Sequence, residues 1–313
     1  MTSDFAFVLG TGRCGSTLVH EVIARHPHVG FISNVDDRLP MPKTLSKWNN
    51  EIYRQVPESF TRKGRLRFAP SEGYRLLDRE VSPALSAPSR DLDAEDVTPW
   101  INKRLRRSFE DRAHVQGKPL FLHKFTGWPR AAFLGRVFPE ARFVHVIRDG
   151  RAVANSFLQM PWWRGYSGPT AWGWGPLPEP YELEWEEAGR SFAVLAGLQW
   201  KILMDAFEAA KAQVPVERWF ELRYEDFIAE PRKSMEGLLE FLDLEWTPEF
   251  DSAFRRQTFS GERTDAYRSD LGIHEVAMLD ACLAAPLERC GYLTKPIREP
   301  KPRRTHAGEE TLI

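Results

Sequence analysis

The segment from Phe5 to Arg25 constrains the fold more than any other part of the chain, because an apolar run, a glycine-rich run and an amphipathic run follow one another without a break. This order predicts a strand, a phosphate-binding loop and a helix. Gly10, Gly12 and Gly15 allow the backbone to turn sharply and to direct its N–H groups towards an anion. The positive N-terminal end of the helix adds to this attraction. The segment therefore predicts a phosphate site.

The loop differs at one position from the Walker pattern G-x-x-x-x-G-K-[ST]. Ser16 stands where the pattern requires lysine, and Arg13 is the only cation of the loop. In that pattern the lysine contacts the β- and γ-phosphates of a nucleoside triphosphate and the next hydroxyl group binds Mg²⁺. The missing lysine argues against ordinary ATP or GTP chemistry, so we expect a different anion.

A second apolar strand that runs into a helix begins at Ala141. The strand ends at Arg148, and Ser156 follows eight residues later in the helical pattern. A guanidinium group and a hydroxyl group can together bind a phosphate dianion. The sequence therefore predicts a second phosphate site, separate from the first.

The Arg-x-Gly-Ser-Thr loop that begins at Arg13 and the Arg148/Ser156 pair resemble the sulfotransferase family, whose donor is 3′-phosphoadenosine 5′-phosphosulfate (PAPS). Weaker similarity extends over roughly residues 5 to 293, with His26-Pro27 resembling the tyrosylprotein branch. The resemblance implies an α/β, three-layer P-loop-like fold, with a mainly parallel central sheet between helices and with helical and loop insertions for the acceptor. It also implies in-line transfer of the sulfuryl group to an acceptor hydroxyl, release of 3′,5′-ADP and no metal.

The resemblance also assigns roles to individual residues. Arg13 would neutralise the phosphosulfate bridge, and Lys124 would place a second cation near the transferred group. Arg148 and Ser156 would bind the 3′-phosphate of the donor. The remaining implied donor-binding residues are Gly12, Cys14, Gly15, Ser16 and Thr17 around the 5′-phosphate, and Tyr224 and Arg268 near the adenine and the far side of the 3′-phosphate.

The general base is the point at which the chain departs from the family pattern. The tyrosylprotein branch has a glutamate shortly after its His-Pro run, but the corresponding residue here is Asn34, which cannot accept a proton at neutral pH. Asp36 is the predicted base, and Asp37 is an alternative. His123 remains a third candidate, because a neutral imidazole suits proton abstraction near pH 7.

Apolar periodicity predicts strands that alternate with helices. This alternation is typical of a parallel sheet with helices on both faces. The predicted strands are about 5–9, 28–32, 119–123, 142–147 and 217–223, and the predicted helices are near 15–25, 44–55, 98–112, 129–137, 150–159, 186–211, 231–242 and 275–285.

The length of 313 residues, with 42% hydrophobic residues, is enough for one substantial core. We predict a single domain over 1–294, with insertions at about 33–118 and 160–185, and a flexible tail over 295–313. The second insertion is rich in tryptophan and glycine. Its rings are expected either to stack on the acceptor or to hold a long loop on the body of the protein; they are Trp162, Trp163, Trp172 and Trp174.

The composition excludes several classes of protein. A net charge of −1 argues against nucleic acid as a partner, and the sequence contains no apolar run of about 18 residues that would predict an integral membrane segment. Three cysteines are too few and too scattered for a disulfide framework or a zinc site, and Cys14 is expected to be a small loop residue or a reactive thiol. We therefore expect a cytoplasmic protein, with homodimer formation left open.

The expected acceptor is a small molecule or a glycan with a free hydroxyl group, such as a carbohydrate, a glycolipid or a small metabolite. Two alternatives to a sulfotransferase remain at this point. One is a P-loop nucleotide kinase or NTPase-like phosphotransferase, and the other is a nucleotide-binding protein that keeps the fold without catalysis.

Overall fold

The computed structural model describes residues 3–56, 67–173 and 175–293. Its centre is a five-stranded sheet in the order β2-β3-β1-β4-β5, in which every neighbouring pair is parallel. All five predicted strands are confirmed, with shifts of a few residues at their ends. They are β1 (Asp4–Gly10), β2 (Val29–Phe31), β3 (Leu120–Thr126), β4 (Arg142–Ile147) and β5 (Trp219–Arg223).

The sheet is buried on both faces because the side chains of its central strand alternate between two cores. Phe7 and Leu9 of β1 belong to one apolar cluster, and Ala6 and Val8 belong to another on the opposite face. All four side chains are fully buried. A parallel sheet covered by helices on both sides produces this near-continuous apolar pattern, so the α/β fold expected from the sequence is confirmed.

The helices surround the sheet and connect its strands. In chain order they are α1 (Ser16–Ile23), α2 (Asn34–Arg38), α3 (Asn49–Gln55), α4 (Tyr74–Glu80), α5 (Pro99–Gln116), α6 (Ala131–Val137), α7 (Gly150–Leu158), α8 (Glu179–Glu187), α9 (Phe192–Lys211), α10 (Tyr224–Ala229), α11 (Pro231–Phe241), α12 (Pro248–Phe254), α13 (Tyr267–Asp270), α14 (Ile273–Cys282) and α15 (Ala284–Arg289).

The prediction of one continuous helix over 186–211 is wrong. Helix α8 ends at Glu187 and α9 begins at Phe192. Between them Gly189 and Arg190 have φ angles of 63° and 58°. These left-handed backbone conformations cannot continue a right-handed helix. The apolar periodicity was read correctly over α9, but it did not reveal this break.

The region between β2 and β3 contains more regular structure than the sequence predicted. Helix α4 lies inside the proline-containing stretch 57–97, to which no element was assigned, and the predicted helix over 44–55 is a 3₁₀ helix at Lys43–Trp48 followed by α3. Strand β3 also continues to Thr126, so Lys124 lies within the strand. The domain and insertion boundaries stay predictions, and the tail 295–313 lies outside the described residues.

Candidate active site

A cavity of about 730 Å³ lies at the carboxyl ends of the strands. This edge is where open parallel sheets bind ligands, because loops and helix N-termini from several strands meet there. Its lining residues include Gly12, Arg13, Gly15, Ser16 and Thr17 from the loop after β1, Lys124 and Thr126 from β3, Arg148 after β4, Tyr224 after β5, and Glu72, Tyr74, Arg130, Trp162 and Trp172 from the connecting segments.

The loop after β1 has the backbone geometry of an anion site. Gly12, Arg13 and Gly15 have φ angles of 85°, 55° and 92°. A left-handed conformation is strained for an arginine, and such strain is concentrated at functional sites. Gly15 precedes α1 and has no side chain with which to cap it, so the first N–H groups of the helix are available to a ligand.

Tyr224 joins the loop after β1 to the end of β4. A Cβ atom at Gly15 would overlap the Tyr224 ring, so glycine is required for this close approach. The guanidinium of Arg148 lies over the same ring, 4.7 Å from its centroid. Arg148 also donates hydrogen bonds to the backbone oxygens of Arg13 (2.9 Å) and Arg263 (2.7 Å). The two segments predicted to bind phosphate are thus in direct contact.

Arg13 and Arg148 form a concentration of positive charge in the cavity wall. Arg13 donates from Nε to Ser156 Oγ at 2.8 Å, so all three residues of the two motifs meet. Burial, followed by the charges of Arg148 and Arg263, lowers the pKa of Arg13. Within the described ranges neither Arg13 nor Arg148 forms an ion pair with a carboxylate. Such a group of cations favours an anionic ligand.

Lys124 lies on the opposite side of the loop, where it is paired with a carboxylate that the sequence analysis did not select. Its Nζ lies 2.7 Å from Glu72 Oε1 and 2.8 Å from Thr17 Oγ1. Thr126 donates a hydrogen bond to the same carboxylate oxygen. Burial acts to raise the pKa of Glu72, but the charge of Lys124 and the hydrogen bonds from Lys124 and Thr126 outweigh it, and the pKa is lowered.

The carboxylates of Asp36 and Asp37 accept hydrogen bonds that stabilise the local fold. Asp36 Oδ2 accepts hydrogen bonds from the backbone N–H and the hydroxyl of Ser33, at 2.9 and 2.7 Å, and from Asn49 Nδ2 at 2.6 Å, which makes it part of the N-terminal cap of α2. Asp37 Oδ1 accepts the N–H of Leu76. Neither aspartate is among the described residues that line the cavity. Their prediction as the base therefore gains no support.

His123 is fully buried between aromatic rings. Its ring contacts Phe109 and Phe125 edge to face, at centroid distances of 5.0 and 4.7 Å. Burial lowers its pKa to about 3. A neutral histidine enclosed in this way packs against the core, and its position gives no support to its prediction as the base.

Among the described residues, three predicted donor-binding positions do not line the cavity: Ser156, which contacts it only through Arg13, and Cys14 and Arg268. The Cys14 side chain is fully buried in the apolar cluster around β1, so only its backbone can reach a ligand and a reactive thiol is not supported. Arg268 lines a separate cavity of about 530 Å³, and its Nε lies 3.9 Å from Asp265 Oδ1. Among the described residues near the C-terminal end, it is Arg263 and not Arg268 that contacts Arg148, through its backbone oxygen.

The tryptophan-rich segment is fastened to the body of the protein by one ring and borders the cavity with two others, so that stacking on an acceptor stays a prediction. Trp163 is buried and donates to Gln199 Oε1 at 2.9 Å, which fastens the segment to α9. Trp162 lines the cavity and is 54% exposed. Trp172 also lines the cavity, while its Nε1 donates to Gly175 O at 2.6 Å. Trp174 lies outside the described residues.

Sequence reasoning missed Glu72, Tyr74 and Arg130. Glu72 precedes α4 in a stretch to which no element was assigned from the sequence, and Arg130 follows a Trp-Pro pair. None of the three belongs to a spaced motif. They reach the cavity because β3 brings Thr126 to the same edge of the sheet, and this depends on the tertiary fold.

No group of histidine, cysteine, aspartate and glutamate side chains suited to a metal ion occurs in the described part of the chain. In the same residues, no helix is both long and apolar enough to cross a bilayer.

The fold and the cavity define an α/β protein with an anion-binding loop at the carboxyl edge of a parallel sheet. The family model described as "Sulfotransferase family" matches residues 6–248. The chain therefore belongs to the sulfotransferase family, and this confirms the resemblance identified from its two motifs.

Solved structures show the same fold. Sulfotransferase STF9 from Mycobacterium avium aligns with a TM-score of 0.59 and 17% identity, over 92% of this chain and 77% of that protein. Sulfotransferase STF1 from Mycobacterium tuberculosis H37Rv aligns with a TM-score of 0.56 and 18% identity, over 91% and 77%. No curated protein matches the chain.

Proposed function

We propose that this protein transfers the sulfuryl group of PAPS to an acceptor hydroxyl and releases 3′,5′-ADP. The observation that carries the proposal is the anion site itself. A strained glycine-rich loop, the N-terminus of α1 and the guanidinium groups of Arg13 and Arg148 line one cavity, and neither arginine has a carboxylate partner among the described residues. This arrangement suits a ligand with phosphate at two positions.

The donor would extend between the two motifs. The backbone N–H groups of Gly12 to Thr17 would bind the 5′-phosphosulfate. Arg148 and Ser156 would bind the 3′-phosphate, and their hydrogen bonds to Arg13 would keep both sites at a fixed separation. The Tyr224 ring, fixed against Gly15, would stack on the adenine. The position of Arg268 gives no support for a role in donor binding.

Glu72 is the general base in this proposal, in place of Asp36. Its carboxylate lies in the cavity beside Lys124 and Thr17, where the sulfuryl group would be held. The acceptor oxygen attacks sulfur as Glu72 takes its proton, and the bond from sulfur to the bridging oxygen breaks. That oxygen leaves with the 5′-phosphate of 3′,5′-ADP. Arg13 and Lys124 neutralise the charge that develops on the leaving and transferred groups.

Lys124 would have a second effect on Glu72. In the structure its ammonium group is shared between Glu72 and Thr17. When the phosphosulfate attracts Lys124, the carboxylate loses part of the interaction that stabilises its ionised form and becomes a stronger base. Donor binding thereby prepares the base for the acceptor.

The direct experiment is incubation of the full chain with ³⁵S-labelled PAPS and a panel of phenols, sugars and small alcohols. The expected result is labelled sulfate ester formed in a one-to-one ratio with 3′,5′-ADP, without added metal. Metal-dependent ATP turnover together with no release of 3′,5′-ADP would overturn the proposal.

A further inference from the structure

Arg130 is a cation of the cavity wall that the proposed donor site does not use. Its side chain is only 1% exposed, yet it lines the cavity that also holds Glu72 and Tyr74. Nη1 donates hydrogen bonds to two backbone oxygens, of Thr126 at 3.3 Å and of Trp128 at 2.5 Å. Both acceptors are uncharged, so the hydrogen bonds hold the guanidinium without neutralising it.

The nearest carboxylates are occupied by other partners. Asp91 Oδ1 accepts the backbone N–H groups of Arg130 and Leu92, at 2.7 and 3.0 Å. Glu72 is paired with Lys124. In the parts of the chain that the structure describes, no carboxylate forms an ion pair with the Arg130 guanidinium, and its buried Nε has no hydrogen-bond partner. Burial lowers the pKa of Arg130, with only weaker opposing effects from Tyr74, Asp91 and Glu72.

Keeping such a cation in place costs free energy. A buried charge is normally paired, because desolvation without a counter-charge is unfavourable. The backbone of Arg130 is also strained, with a φ angle of 55°. Strain of this kind persists where the surrounding structure enforces it, and it is typical of sites that contact ligands. Arg13, Arg148 and Lys124 are accounted for by the anionic donor, whereas Arg130 has no such role.

The position of Arg130 indicates which part of a substrate it would meet. The Tyr74 hydroxyl donates to the same Thr126 oxygen, at 3.3 Å, and accepts the Thr126 N–H at 3.0 Å. The Thr126 side chain in turn binds Glu72. Arg130 and Tyr74 therefore lie beside the proposed base on the acceptor side, and a group held by them would be close to the reacting hydroxyl.

We propose that the acceptor is an anion: it carries an oxyanion, such as a carboxylate or a sulfate ester, near the hydroxyl that is sulfated, and Arg130 recognises that oxyanion. This inference rests on the proposed function. The negative group would complete the pairing of the buried guanidinium, while Trp162 and Trp172 contact the rest of the acceptor. Arg130 is thus a residue that determines acceptor specificity.

The test compares acceptors that differ only in charge, using the full chain saturated with PAPS. Suitable pairs are 4-hydroxybenzoate with 4-hydroxybenzamide, and methyl glucuronide with methyl glucoside. The expected result is a value of kcat/KM at least about tenfold higher for the anionic member, mainly through KM, since a hydrogen bond to a charged group has an effect of this size. A third pair, in which the anionic member is a phenol that carries a sulfate ester beside its free hydroxyl group, distinguishes recognition of a sulfate ester from recognition of a carboxylate.

The variant for this test is Arg130→Met, and Arg136→Met is its matched control because Arg136 lies in the helix that directly follows Arg130 and is exposed. Arg130→Met should remove the preference for the anion, and the control should keep it. If Arg130→Met does not fold, the lack of any preference for the anion in the wild-type protein would still overturn the role of Arg130.

Each outcome separates the inference from the proposed function. Sulfation of neutral and anionic acceptors with equal kcat/KM would overturn the role of Arg130 and leave the sulfotransferase activity intact. The role of Arg130 would also be overturned if the protein binds 3′,5′-ADP but neither binds nor sulfates any anionic acceptor. Failure to bind 3′,5′-ADP at all would remove the proposed function and this inference with it.

Discussion

The two halves of the cavity are built in different ways. The donor half consists of turns that directly follow β1, β4 and β5, and its side chains contact one another through Arg13, Arg148 and Tyr224. The acceptor half is assembled from the segment between β2 and β3, the turn after β3 and the segment after α7, which supply Glu72, Arg130 and Trp162. The first half is fixed by the sheet, whereas the second depends on how these connections pack onto it. We infer that donor chemistry is set by the fold and that acceptor choice is set by the connecting segments.

The largest expected effect separates the two candidate bases. Glu72→Gln should lower kcat by about 10² or more, because the acceptor loses its proton acceptor, while the affinity for 3′,5′-ADP stays near that of the wild-type protein. Asp36→Asn is the matched comparison, since it also replaces one carboxylate by an amide. It should weaken the cap of α2 by about 1 kcal/mol and keep kcat per folded molecule.

Steady-state assays with ³⁵S-labelled PAPS measure kcat, and calorimetric titration measures the affinity for 3′,5′-ADP. If Asp36→Asn lowers kcat as much as Glu72→Gln does, the assignment of Glu72 as the general base would be contradicted, and Asp36 on α2 would again be the candidate.

Adjacent tryptophans test whether the acceptor half has both a structural and a binding part. Trp163→Ala should reduce the free energy of unfolding by about 3–5 kcal/mol, since it removes a buried ring and its hydrogen bond to Gln199. Trp162→Ala should change stability little and raise the acceptor KM about three- to tenfold. Thermal unfolding and steady-state kinetics measure the two effects. The same loss of stability in both variants would contradict separate roles.

Arg148 tests the donor half. Arg148→Ala should weaken binding of 3′,5′-ADP by about 10- to 100-fold, the effect of losing a charge-assisted hydrogen bond, and should leave 5′-AMP binding nearly unchanged. Isothermal titration with the two nucleotides measures the difference. Arg151→Ala is a poor control because Arg151 is buried in ion pairs with Asp149 and Asp280, so Arg232→Ala on α11 serves instead, since Arg232 is exposed together with its ion pairs. Equal losses for both nucleotides would show that Arg148 does not bind the 3′-phosphate.

The smallest effect is on the pH dependence of transfer. A base must be ionised, so kcat should rise with pH through the pKa of Glu72 and then level off. Burial acts to raise this pKa, and Lys124 lowers it below its usual value. In Lys124→Met the burial effect remains without the cation, so the acidic limb should move to higher pH. Lys118→Met, which removes only an ion pair with Glu51, should leave the limb in place.

The same contrast explains what could be predicted from the sequence. Loop, strand and helix are contiguous around Arg13, and Arg148 and Ser156 lie eight residues apart, so local patterns were enough to find them. Apolar runs likewise placed all five strands, because β1, β3 and β4 are buried on both faces and the edge strands β2 and β5 also carry buried apolar side chains. Glu72 could not be found in this way. It meets Lys124 only through folding of a segment 52 residues away in the chain, and no spacing rule connects the two.

The absence of structural support for Asp36 as the base has a related cause. The position after the His-Pro run placed a carboxylate close to where the family pattern has a glutamate, but Ser33 at the start of α2 makes that carboxylate a cap. A serine followed three residues later by an acidic residue is itself a helix-start signal. Giving that local signal precedence over position in the family pattern would have predicted a capping role for Asp36.

PAPS-dependent transfer is tested most directly by the nucleotide preference of the wild-type protein, measured by isothermal titration without metal and with Mg²⁺. We expect 3′,5′-ADP to bind more tightly than 5′-AMP and ATP in either condition, because Arg13 and Arg148 would hold phosphates at both ends of one ligand. Tight Mg²⁺-dependent binding of ATP, with no preference for 3′,5′-ADP over 5′-AMP, would contradict it.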